Sequence, residues 1–169
     1  MTPLEALEAA LRLPDNAKLI IIPPRFNAAA YLDAAEFLKD NNFIGGGQLA
    51  TMLVCARRNN EEHAFFRETF AKWANIIDKM PHSYETDGQG QKAVAHLHYF
   101  AGGQANWWIT EKDVGNPGED ASERQWQAFG RADLFGDGGE LGHICLPEII
   151  ANGGELDLYW KPQTLEEIT

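Results

Sequence analysis

The chain has 169 residues, 44% of them apolar, and its 14 Lys/Arg face 25 Asp/Glu for a net charge of −11. That length can bury a real core, as one domain or two small ones, and the apolar content excludes wholesale disorder. No apolar run approaches the roughly 20 residues of a membrane span, and Glu5 and Glu8 occupy the region where a secretory signal is basic and then apolar, so a cytoplasmic location without a membrane partner is expected.

In chain order, Thr2-Pro3-Leu4-Glu5 has the parts of a helix start: a capping Thr, Pro at the first helical position and Glu closing a capping box. Residues 18–22 (KLIII) read as a short buried strand stopped by Pro23-Pro24. Asn27 can cap a second helix to about residue 40, with Tyr31, Ala34, Ala35 and Leu38 at helical spacing. Gly45-Gly46-Gly47 then opens an apolar segment. A glycine run before a helix can cradle a phosphate, but neither the Gly-Lys-Ser/Thr ending of a P-loop nor a G-x-G-x-x-G pattern is present, which favours a plain turn. After Asn59-Asn60, Phe66, Phe70, Trp73, Ile77 and Met80 step by four, three, four and three. That stripe serves a core, and Phe66, Phe70, Trp73 and Ile77 would equally serve a homodimer seam. Pro81 ends the helix. The expected division is a mainly helical module with one short strand over 1–80 and an acidic antiparallel α+β domain over 81–169.

Charge follows the same division. Residues 1–81 carry 9 Lys/Arg and 10 Asp/Glu, whereas residues 82–169 carry 5 and 15. So acidic a surface repels phosphates and attracts basic partners, so direct nucleic-acid binding by this half is not expected. Its pattern is strand-rich, with strands over 93–100 and 106–112, then a polar loop over 112–124. Residues 125–134 alternate, with Trp126, Ala128, Ala132 and Leu134 on one face. Residues 129–148 read as a strand, a Gly136/Gly138/Gly139 turn, a second strand and a short helix at Pro147, a hairpin able to seed a sheet. A last strand over 156–160 precedes a turn capped by Thr164. The fold class is therefore α+β. Cys55 and Cys145 form no CxxC pair and read as reduced, buried thiols.

Several segments of this half carry a family resemblance. They are residues 80–100 (MPHSYETDGQGQKAVAHLHYF), Trp107-Trp108-Ile109-Thr110-Glu111, Phe129-Gly130, Glu140-Leu141-Gly142, Leu146-Pro147-Glu148-Ile149 and residues 156–168 (LDLYWKPQTLEEI). In that order they resemble the family described as "domain of unknown function 2958", over about residues 81–169. The resemblance implies a bacterial, plasmid- or phage-borne setting and no particular reaction. The first 80 residues lie outside it.

Three groups of side chains are site candidates. His96 and His98 share a strand face, as do His143 and Cys145, and imidazole with thiolate is zinc-binding chemistry. The family resembled usually carries an aromatic residue where His143 stands, so hydrogen-bonded or exposed histidines are the default and no metal or other cofactor is expected. Glu111, Asp113, Glu140, Glu148 and Asp157 could pair as hydrolytic or Mg²⁺-holding carboxylates, although an acidic domain has solvated carboxylates everywhere. No G-x-S-x-G or H-E-x-x-H pattern accompanies them. Finally, Trp107 and Trp108 must point to opposite sheet faces, as must Tyr159 and Trp160, leaving one of each pair to be exposed or to pack on the helices. With nearby acids they define an expected partner-binding set: Trp107, Trp108, Glu111, Asp113, Glu119, Asp120, Glu140, Tyr159 and Trp160. The leading expectation is a non-enzymatic accessory protein of a mobile element. It would engage a basic protein partner through its acidic half, as an inhibitor of a nucleic-acid-binding host defence system. The alternative is a small carboxylate- or metal-dependent enzyme.

Overall fold

The computed structural model describes residues 23–58, 60–116, 118, 120 and 124–168. The helix expected after Thr2 and the strand expected over 18–22 lie outside them. The first described helix, α1 (Tyr31–Asp40), starts later than its cap signal suggested, because Asn27 Oδ1 accepts the Ala30 N–H at 2.9 Å and organises the turn before the helix. Its Tyr31, Ala34, Ala35 and Leu38 are all buried, as their spacing requires. Helix α2 (Gly46–Arg57) follows the glycine run and buries Leu49, Met52 and Ala56. Both pack against α3 (Glu62–Lys79). The proposed homodimer seam is taken up within the chain: Phe70, Trp73 and Ile77 are fully buried and Phe66 packs against the same core.

The sheet lies beyond Pro81. Strands β2 (Leu97–Ala101), β3 (Ala105–Glu111), β4 (Ala128–Asp133), β5 (Glu140–Ile144) and β6 (Glu155–Leu156) form one antiparallel sheet in the order β5-β4-β3-β2-β6. A separate ladder joins β1 (Val94–Ala95) to β7 (Gln163–Thr164). The continuous strand expected over 93–100 is thus broken at His96, whose backbone N–H turns to Ile109 O at 2.8 Å. The strand expected over 156–160 is likewise cut short: after Leu156 the chain turns, with Asp157 Oδ1 accepting the Tyr159 N–H. Trp126 precedes β4 in a turn and is 57% exposed, so the alternation read from residue 125 begins only at Ala128. The Thr164 cap is present as a capping box with Glu167.

One sheet face packs on the helices and the other is partly covered by the chain's end. Leu97, Tyr99, Ile109, Ala128 and Ile144 join the helical residues in one buried cluster. On the opposite face Ala95, Trp108 and Leu165 form a smaller cluster with Trp160 and Ile168 against it. Polar bonds tie helices to sheet across residue 81. Tyr99 Oη donates to Phe43 O at 2.6 Å, and the Gln48 amide pairs reciprocally with the Leu156 backbone. Lys112 Nζ donates to Ile77 O and Asp78 O, satisfying two orphan carbonyls at the end of α3. Burial lowers the Lys112 pKa, opposed by the charges of Asp78 and Glu85. The passage from helices to strands falls where Pro81 indicated, yet the two parts share one core.

The β4–β5 hairpin is built as its glycines indicate. Gly136, Gly138 and Gly139 all have positive φ, and a Cβ on Gly139 would sit 2.2 Å from Ala132 O. The loop folds around Asp133, which accepts the N–H groups of Phe135, Gly136 and Asp137 on Oδ1 and of Gly138 on Oδ2. Burial acts to raise the Asp133 pKa, but those four N–H groups outweigh it and hold the carboxylate below its ordinary range. The stability this contributes is present above the unfolded pKa, near 4, and is lost as pH falls through the lowered folded value. In Asp133→Asn one oxygen is replaced by NH₂, a donor, and cannot accept the bonds made to both oxygens. The variant is expected to have a lower Tm than the parent at neutral pH, with the gap closing in acid. A Tm-against-pH series on both proteins reads this, and a gap that is constant with pH would contradict it.

Candidate functional site

The zinc quartet does not assemble. His98 on β2 and His143 on β5 belong to strands separated by β3 and β4, a span of about 14 Å at ordinary strand spacing. His98 lies between two acceptors, with Nδ1 2.9 Å from Asp157 Oδ2 and Nε2 2.8 Å from Asn106 Oδ1. Asn106 Nδ2 donates to Gln104 O, which orients its amide oxygen toward the imidazole. Both ring nitrogens are therefore engaged, and the ring stacks on Trp108. His96 is half-buried, and burial lowers its pKa. Cys145 stands at the N-cap position of the short helix α4 (Leu146–Ala151) without a side-chain capping bond, and burial raises its thiol, with opposition from the Glu148 N–H and support from the Glu148 charge. Among the described residues no three His, Cys, Asp or Glu side chains are grouped as a metal site would require.

The carboxylates are also dispersed. Glu111 is buried at the end of β3, where Oε1 accepts the Tyr84 N–H and Oε2 accepts the Thr86 N–H and Oγ1–H. Its work is to seat the loop after Pro81, so it is withdrawn from the surface. Asp113 accepts the N–H groups of Gly115 and Gln127 and closes the next loop. Asp157 holds His98, while Glu140 and Glu148 are exposed on β5 and α4.

The expected partner-binding aromatics are largely inside. Trp107 and Trp108 do face opposite sides of the sheet, but Trp107 packs on the main core. Trp108 is buried with His98 stacked on it and the Arg131 guanidinium 4.5 Å from its ring centroid. Trp160 is half-buried, its Nε1–H donating to Ala95 O. Tyr159 is 77% exposed, and Asp120 and Glu140 are exposed as expected, whereas Glu119 lies outside the described residues. Sequence reasoning missed the aromatics that do reach the surface: Tyr84 (72% exposed), Trp126 and Phe135 (78%). Tyr84 and Gln125 have positive φ, so two backbone turns that no glycine announces aim Tyr84 and the neighbouring Trp126 outward.

These side chains border clefts around one end of the sheet. A cleft of about 350 Å³ runs over the outer face, with Tyr84, Asp87, Thr110, Phe129, Leu141 and His143 among its walls. A second, of about 450 Å³, shares Tyr84 and lies between Val114 and Trp126. Two more, of about 420 and 310 Å³, flank β5 near Leu134, Phe135, Asp137, Glu140 and Glu148. Among the described residues no Lys or Arg lines any of the four. Of the five cations after residue 81, Lys112 reaches to α3 and Arg131 lies over Trp108 and onto Leu165 O, while the exposed Arg124 donates to Asp40 O at the surface. What these features define is an α+β protein with an acidic, aromatic-edged face at the β5 end of its sheet. No helix among the described residues is long and apolar enough to cross a membrane. No protein family, curated protein or solved structure matches the chain.

Proposed function

We propose that the chain is a cytoplasmic binding protein whose acidic C-terminal part engages a basic protein. The observation that carries this reading is that, among the described residues, four clefts hold Asp87, Asp113, Asp137, Glu140 and Glu148 and no Lys or Arg beside exposed Tyr84, Trp126 and Phe135. Aromatic anchors supply contact area at low entropic cost, and the surrounding carboxylates steer a cationic surface and reject an anionic one. The setting implied by the family-like segments, a mobile genetic element, makes a nucleic-acid-binding host defence protein the partner class, since such proteins present basic surfaces. Inhibition would follow from occupying the surface that otherwise meets phosphate.

Capture from bacterial lysate tests this with the parent and an Asp137→Lys/Glu140→Lys/Glu148→Lys triple variant. Basic proteins should be retained by the parent at low salt, released as salt shortens the screening length, and not retained by the variant. Equal capture by the two proteins would overturn the reading.

A further inference from the structure

We infer that the free edge of β5 receives an extended, Lys/Arg-bearing segment of that basic partner as a sixth antiparallel or parallel strand. The inference rests on the binding reading above and specifies how the same face is used.

Among the described residues β5 is bonded on one side only, to β4, in the register Phe129↔His143, Gly130↔Gly142 and Arg131↔Leu141. Its other side presents alternating backbone N–H and C=O groups, which are a template for strand pairing. An edge left this way is ordinarily blunted by charged side chains, above all lysine, by proline or by a bulge. Of these β5 carries only Glu140, a charge that repels an acidic segment and admits a basic one. Leu141, Gly142, His143 and Ile144 supply no lysine, proline or bulge, and no register shift interrupts the β4–β5 ladder. An extended segment alternates its side chains between two faces, so a sixth strand requires room on both. The structure provides that room. Leu141 and His143 border the outer cleft that leads back to Thr110, while Ile144 and Glu148 border the cleft on the helical side. Asp87 stands on one side and Glu148 on the other, with Asp137 and Glu140 at the hairpin end, so cationic side chains find a carboxylate whichever face they reach. The charge commits the occupant: an acidic segment, or a second β5 carrying its own Glu140, would meet like charge.

The probe is an eight-residue peptide alternating Lys and Val, titrated into the ¹⁵N-labelled full chain, with the Glu/Val peptide as control. The Lys/Val peptide should shift and protect the amides of residues 140–144 and bind more weakly as salt rises, and the Glu/Val peptide should leave them unchanged. Gly142→Lys is the edge-blocking variant. A Cβ at Gly142 meets none of the described residues within 4 Å, so the fold is kept while the edge gains a like charge. It should weaken Lys/Val binding by about tenfold or more. Two results overturn strand addition while leaving the acidic-face reading intact: salt-sensitive binding that maps to residues 113–127, or binding indifferent to Gly142→Lys. Failure of the Lys/Val peptide to bind anywhere at low salt overturns both. A dimer of the free chain that Gly142→Lys dissolves would assign the edge to a second copy and overturn the basic occupant.

Discussion

Gly130→Ala should destabilise the chain by about 3 kcal/mol or more, the upper end of what overpacking a well-filled site costs. Gly130 sits mid-strand in β4, opposite Ile109 on β3 and Gly142 on β5. A Cβ placed there would lie 1.9 Å from Trp108 O and 3.0 Å from Ile109 Cα. Both obstacles are backbone, so no rotamer change can relieve the clash. The close approach coincides with an irregularity in the ladder between Ile109 and Glu111, where β3 shifts its register against β4. That shift places Glu111 beside Phe129 and under the Tyr84–Thr86 turn, so the missing side chain at Gly130 and the buried carboxylate belong to one local arrangement. Chemical denaturation reads the loss. An unfolding midpoint unchanged from the parent would show that β3 and β4 do not approach this closely. Gly142→Ala is the internal contrast, since its added Cβ meets nothing and it should stay near parental stability.

The α+β class, the helices over 31–40 and 62–79 and the hairpin from 129 to 148 are legible in the sequence, because each rests on local periodicity or turn chemistry, whereas the helix over 46–57 reads only as an apolar segment after its glycines. Tyr31, Ala34, Ala35 and Leu38 share a helix face by spacing alone, and all four are buried. The glycines after Asp133 require positive φ, and all three have it. The surface was less legible because burial depends on distant partners. Trp107 and Trp108 were separable by strand alternation, but nothing local shows that His98 and Arg131 cover Trp108 from the two adjacent strands. Glu111 reads as one acid among many until Thr86, 25 residues earlier, folds over it. Tyr84 and Trp126 become exposed through positive φ at Tyr84 and Gln125, residue types that give no such warning. The histidines failed to converge for a topological reason. Two strands intervene between β2 and β5, and strand order is not a property of either segment.

Trp73→Ala should cost about 3–5 kcal/mol, the range for truncating a buried aromatic side chain. Trp73 is fully buried where α3 meets the rest of the core, and Lys72 Nζ lies 4.4 Å from its ring centroid. Its Nε1–H is buried without a hydrogen-bond partner among the described residues, which offsets part of what the ring contributes. Trp73→Phe removes that unpaired donor along with part of the volume, so it should lose much less than Trp73→Ala. Where the loss appears matters more than its size. Because Trp73 shares its cluster with Leu97, Tyr99 and Ile109, truncation should lower hydrogen-exchange protection equally in α3 and in β2 and β3. The Tyr99–Phe43, Gln48–Leu156 and Lys112–Ile77 hydrogen bonds reinforce that coupling. If α3 alone loses protection, the helices and the sheet open separately and Pro81 marks a thermodynamic boundary. If both lose it together, Pro81 marks a change of secondary structure inside one cooperative unit, and the helices serve to hold rigid the sheet whose β5 edge is the proposed binding site.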